Sequence, residues 1–149
     1  AHSPYTGYQD REIKALAPAT VEALLHGDGM ELALAAELNG YAGPKHALEL
    51  ATPLGLSADQ RQAIERVYRT MRETATPIGA EIVTLERTLD QEFRRRSIDR
   101  AKLEALTARI ATLQGRLRAT HLAAHLELDR ILTPQQQARY AELRGYTAR

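Results

Sequence analysis

The 149-residue chain has no cysteine, no tryptophan, a single phenylalanine and a formal net charge of only +1. Without cysteine there are no disulfides and no thiolate chemistry, which leaves the compartment open. The near balance of charge gives no general field for nucleic acid or an anionic membrane. No base-stacking aromatics lie among the basic residues either. No apolar run approaches the roughly 20 residues that span a bilayer. Gly-rich nucleophile turns and phosphate loops are also missing. His121-x-x-x-His125 lacks the Glu next to its first histidine that HExxH zinc hydrolases use as a base. Catalysis is therefore not expected. What is abundant is Ala, Leu, Glu and Arg, with 44% hydrophobic residues, a composition that favours helices in one domain of ordinary size.

One short motif occurs twice, as Leu56-Ser57-Ala58-Asp59-Gln60 and, 76 positions later, as Leu132-Thr133-Pro134-Gln135-Gln136. Each copy reads as a capping box. The Ser or Thr hydroxyl accepts a free N–H of the first helical turn, and the Gln three residues on reaches back to the cap's own N–H. Pro134 suits the first helical position, where its missing N–H would have had no partner. The staple partners of the two leucines would be Arg61 and Gln137, which are polar. Leu56 and Leu132 are therefore expected to pack against other elements.

Glycines and prolines punctuate residues 1–55, a helical wrap whose candidate helices are Gln9 to Leu16, Pro18 to Leu25, Met30 to Leu38 and Lys45 to Ala51. None is long enough to stand alone. Residues 56–131 form a long hairpin. From Ala58 to about Arg95 a heptad seam runs through Ile64, Val67, Met71, Ala75, Ile78, Ile82, Leu85 and Leu89, interrupted by Pro77, which should kink the helix. A second helix, capped by Ser97, has its seam at Leu103, Leu106, Ile110, Leu113, Leu117, Thr120, Ala124 and Ile131. Each helix would be on the order of 50 Å long. Leu122, Leu126 and Leu128 make the far end apolar on every side and predict all-round burial. Residues 132–149 supply a short C-terminal helix, ended by Gly145, and a tail. The expected fold class is all-α: a long antiparallel helical hairpin with short helices at both ends, in a single domain spanning 1–149.

The twin motif on this plan resembles the LTxxQ family, the Spy/CpxP group of periplasmic stress proteins with its metal-responsive ZraP- and CnrX-like members. The resemblance covers roughly residues 44–146, with Ser57 where Thr is more usual. It implies a small helical periplasmic protein, often a curved homodimer. Spy-like members hold unfolded client proteins without ATP, CpxP-like members restrain an envelope sensor protein, and ZraP- and CnrX-like members bind divalent metal through His and carboxylate groups. The start at Ala1, without methionine, suits a removed signal peptide or anchor, or a trimmed tag.

His121 and His125, spaced i, i+4, project from one helix face and can both reach a metal ion. They precede Leu132 by 11 and 7 residues; His46 precedes Leu56 by 10, with Glu49 one turn on. If the two motifs pack together, His46 and the 121/125 pair converge, with Glu49 as a fourth ligand. Such a set suits Zn, Cu, Ni or Co without ranking them. The competing reading is three half-buried histidines in a crowded helix end. His2 would chelate Cu(II) only at a true mature terminus, and His26 suits the negative end of its helix. The basic tip, Arg94-Arg95-Arg96, reads as a solvated turn or a steering patch, and Met71 as seam or client surface.

The expectation is an envelope-stress or heavy-metal-resistance protein that binds divalent metal and chaperones unfolded clients. The alternative is a metal-independent chaperone or an adaptor restraining a sensor kinase. No nucleic-acid partner is expected.

Overall fold

A computed structural model describes residues 1–147, and every regular element among them is helical. Residues 148 and 149 of the expected tail lie outside the described residues. The helices are α1 (Pro18–His26), α2 (Leu34–Glu37), α3 (Pro44–Glu49), α4 (Ala51–Leu54), α5 (Ala58–Arg94), α6 (Arg100–Ile131) and α7 (Pro134–Leu143). Two compact units emerge. One comprises Ala1–Asp28 and Ala75–Leu117, the other Gly29–Thr74 and the described residues from Arg118. Both long helices contribute to each.

The long pair is antiparallel, as the seams predict. In the first unit the Arg109 guanidinium donates to both Glu81 oxygens, at 3.0 and 3.2 Å. In the second, Gln60 of α5 donates to the Ile131 carbonyl of α6 at 3.0 Å. Ile64, Ala75, Ile82, Ile110, Leu113, Leu117 and Ala124 of the seams are buried. The helix α5 runs on through Pro77 without a break. Its C-terminus closes with Arg96 in the left-handed region (φ 57°), Ser97 N–H donating to the Glu92 carbonyl and Arg96 N–H to that of Phe93. Ser97 is thus spent on ending α5, its hydroxyl on the Glu92 carboxylate at 2.7 Å, and the cap of α6 is Asp99, whose Oδ1 accepts from Lys102 N–H at 2.8 Å.

Three further expectations are corrected. Residues 9–16 are not helical beyond the single 3-10 turn Tyr8–Asp10. There the chain extends at Arg11, buries Ile13, and bonds outward: Lys14 N–H donates to Asp90 at 2.8 Å and Glu12 accepts from Arg87 Nε at 2.7 Å. These tertiary contacts outweigh the weak propensity of eight residues. The helix expected over Lys45–Ala51 is split into α3 and α4 at Leu50, because a continuous helix would drive the Pro53 ring into the Glu49 carbonyl. Burial around the far end of α6 is not all-round either: Leu128 is fully buried, whereas Leu126 is 58% exposed.

Both capping boxes form. Ser57 and Gln60 exchange bonds of 3.0 Å, and Thr133 and Gln136 bonds of 3.0 and 3.1 Å. Their glutamines then bind each other: Gln60 Nε2 donates to Gln136 Oε1 at 2.7 Å, and Gln136 Nε2 to Gln60 Oε1 at 3.1 Å. The spare amide hydrogens go to main-chain carbonyls, Ile131 for Gln60 and Leu54 for Gln136. The repeated motif is therefore a reciprocal lock joining the starts of α5 and α7. Beside it Leu132, Leu54, Ile64, Leu128 and Tyr140 form the core, with Leu56 packed against it. Gln60→Ala and Gln136→Ala should each cost about 1–2 kcal/mol in urea unfolding. The double variant should cost clearly less than their sum, and strict additivity would count against a shared lock.

Candidate metal centre

The second unit carries a buried charged cluster around a residue that sequence patterning passes over. The expected helix over 30–38 is reduced to the single turn α2, because Met30 lies in the left-handed region (φ 51°) and the chain turns through residue 33 before becoming helical. On that turn the apolar residues face outward, Leu34 and Leu38 being 41% and 55% exposed. Ala33 and Glu37 face inward, and Glu37 is only 8% exposed.

Opposite Glu37 stands α6. His121, His125 and Leu128 share one helical stripe and are all buried. The Nδ1 of His125 lies 3.0 Å from the His121 carbonyl, an acceptor only, so this nitrogen carries a hydrogen and the ring is fixed. The other nitrogen, Nε2, lies 3.2 Å from Glu37 Oε1. With a proton on both nitrogens, the contact is an ion pair. With Nε2 bare, a nitrogen and a carboxylate present lone pairs to each other, an arrangement that a cation would close. Gly43 covers the pair: a Cβ there would come 2.9 Å from His125 Nε2 and 3.4 Å from Glu37 Oε1, so only glycine lets the chain pass this close.

The last helix completes the shell. Tyr140, 2% exposed, directs its hydroxyl between the two Glu37 oxygens at 2.8 and 2.9 Å and accepts from Gly43 N–H at 3.3 Å. Beyond α7, Gly145 (φ 80°) turns the chain back, with Tyr146 N–H on the Ala141 carbonyl. Tyr146 thereby donates to Glu37 Oε2 at 2.7 Å, with Arg144 Nε 3.4 Å from the same oxygen. Burial pushes the Glu37 carboxyl upward, but the hydrogen bonds of His125, Tyr146 and Tyr140 outweigh it and hold the group at about 2. Burial raises the Tyr140 phenol well above its ordinary range; the Gly43 bond opposes this and the Glu37 charge adds to it.

The four residues singled out from sequence fall into two pairs. His121 and His125 lie together on α6, linked by the main-chain bond described. His46 and Glu49 lie together on α3, Nδ1 to Oε2 at 3.1 Å, and this hydrogen bond lowers the Glu49 carboxyl. Among the described residues no three His, Cys, Asp or Glu side chains are grouped to hold a metal ion. His2 and His26 belong to the other unit and are exposed. Glu37 is the residue that sequence reasoning missed. The one signal available was its i, i+4 relation to Ala33, which points an acid and a small residue the same way.

A family model described as heavy-metal resistance matches residues 32–139, well over half the chain and all of this cluster except Arg144, Tyr146 and Tyr140. No curated protein and no solved structure matches the chain.

Proposed function

This chain belongs to the heavy-metal resistance family, within the Spy/CpxP-like group, and on that premise we propose that it binds a divalent transition metal at Glu37 and His125. The family is not an enzyme family and is typically extracytoplasmic, and no described helix is long and apolar enough to cross a membrane. Residence in the periplasm and action as a homodimer are part of the reading.

The observation that carries it is a histidine whose Nδ1 is tied to a main-chain carbonyl while its Nε2 faces a buried carboxylate. A bond from the far ring nitrogen to a carbonyl sets the tautomer and aim of metal-binding imidazoles. The donor pair suits the group: an imidazole nitrogen and a carboxylate are ligands of the type that Zn, Cu, Ni and Co take. His121 supports the ring through its carbonyl, and the exposed His46–Glu49 pair offers a second, looser place. Protons compete with a metal ion for imidazole and carboxylate ligands, so binding should weaken as pH falls.

Calorimetric titration of the metal-free protein with Zn, Cu, Ni and Co tests this. Binding at micromolar Kd or tighter is expected for at least one metal. His125→Ala and Glu37→Gln should each weaken it by at least about 100-fold, and His46→Ala by much less. Absence of heat with all four metals, or indifference to His125→Ala, would refute the reading.

A second reading rests on a separate observation in the same unit. A groove of about 580 Å³ between α5 and α6 is lined by Val67, Met71, Ala124 and Ile131 together with threonines, Arg66 and Glu127. A groove that mixes small and apolar side chains with two opposite charges suits an amphipathic segment of an unfolded client. Suppression of client aggregation at stoichiometric amounts, weakened by Met71→Glu, is the expected result.

A further inference from the structure

The Glu37 carboxylate already has every lone pair engaged, and its donors divide into two kinds. Oε1 is held from inside the core, by His125 Nε2 at 3.2 Å and Tyr140 at 2.8 Å. Oε2 is held chiefly from the tail, by Tyr146 at 2.7 Å and the Arg144 guanidinium at 3.4 Å. The inner donors are anchored, Tyr140 being 2% and His125 8% exposed. The outer two lie past the end of α7 on a single glycine turn, and Tyr146 is 37% exposed. Arg144 also bonds the Tyr146 hydroxyl at 3.3 Å and its guanidinium lies 5.7 Å from the Tyr146 ring, so the two side chains act as one piece.

We propose that Arg144 and Tyr146 form a counter-cation latch, holding the Glu37 carboxylate in the metal-free protein and releasing it when a divalent cation takes their place. This rests on the metal reading above. The guanidinium supplies the positive charge that a buried carboxylate needs. A divalent cation beside the same oxygens makes that charge redundant and repels it. Tyr140 and His125 cannot withdraw without unpacking the core. The tail is less enclosed, Tyr146 being 37% and the Arg144 side chain 32% exposed where they stand. Metal occupancy would thus be reported outward as a freed C-terminal segment, and the latch would set the affinity by competing for the site.

Limited trypsinolysis of the full chain with and without Zn²⁺ tests the latch. Cleavage after Arg144 needs the Gly145 turn to open, whereas cleavage at Arg95, in the exposed turn of the other unit, gives an internal control. Saturating Zn²⁺ should raise the ratio of Arg144 to Arg95 cleavage about tenfold. Tyr146→Phe should show the raised ratio without metal and bind Zn²⁺ several-fold more tightly. Arg144→Gln should share that tighter binding. If Zn²⁺ binds by calorimetry but neither the ratio nor the variant affinities change, the latch is wrong while the metal site stands. If Zn²⁺ does not bind at all, both fall together.

Discussion

Glu37→Ala should lower the folding stability by about 3–5 kcal/mol, the largest loss expected from any single charge in this protein. The substitution removes a carboxylate that organises donors from three elements: His125 of α6, Tyr140 of α7 and the Arg144–Tyr146 tail. It leaves a buried phenol and a buried imidazole without their acceptor, and that desolvation is the source of the cost. Glu37→Gln keeps one acceptor oxygen and should cost less. Replacing both members of the inner pair, Glu37→Leu with His125→Leu, should cost less than the sum of the two single Ala variants, since the buried imidazole then goes together with its acceptor.

A pH signature separates the charge from the packing. The folded carboxyl sits at about 2, below its ordinary 4.5. A depressed acid stabilises the fold fully above its unfolded value and loses that contribution as pH falls through the folded one. The parent should therefore shed on the order of 2–3 kcal/mol between about pH 4.5 and pH 2 because of this group. Glu37→Gln should show a correspondingly shallower acid limb in chemical denaturation at stepped pH. Identical limbs for parent and variant would show that Glu37 is not ionised in its buried place.

Why this residue escaped notice, while its neighbours did not, follows from the range of the forces involved. The two capping boxes were legible because each closes within three residues. That their glutamines exchange amides across 76 residues is a tertiary fact with no local trace. His121 and His125 were legible as a pair because helical spacing alone puts them on one face. Their convergence with His46 depended on where α3 lies, and spacing before a leucine does not specify that. At the tip, Ser97 and Asp99 are equally good caps by residue type. The left-handed Arg96 decides between them by committing Ser97 to the preceding helix. Glu37 was hidden by a pattern that runs backwards. Two leucines on a one-turn helix signal the buried face, yet here they face water and the acid faces the core. Such inversions are tolerated where partners compensate, which is why a buried acid with a full set of donors marks a site.

Gly79→Ala provides the second large effect, in the other unit, and its sign is the informative part. In an ordinary helix interior this change stabilises by about 1 kcal/mol, because glycine has more backbone freedom to lose on folding. At Gly79 of α5 the added Cβ would run into the Leu24 carbonyl oxygen of α1, with the Leu24 carbonyl carbon and Cα at 2.8 and 3.2 Å. All three are main-chain atoms, so no side chain can swing aside and α1 itself must lift. Leu24, 6% exposed, would lose its burial in the process. A loss of about 3 kcal/mol or more is expected, against the intrinsic gain. Gly115 of α6 supplies the control, since a Cβ there meets nothing within 4 Å and should return the ordinary stabilisation of about 1 kcal/mol. The same substitution on two long helices should thus move stability in opposite directions, with faster amide exchange in α1 only for Gly79→Ala. Equal effects at the two glycines would mean that α1 does not rest on α5 by its main chain, and residues 18–26 would then be an unpinned strap.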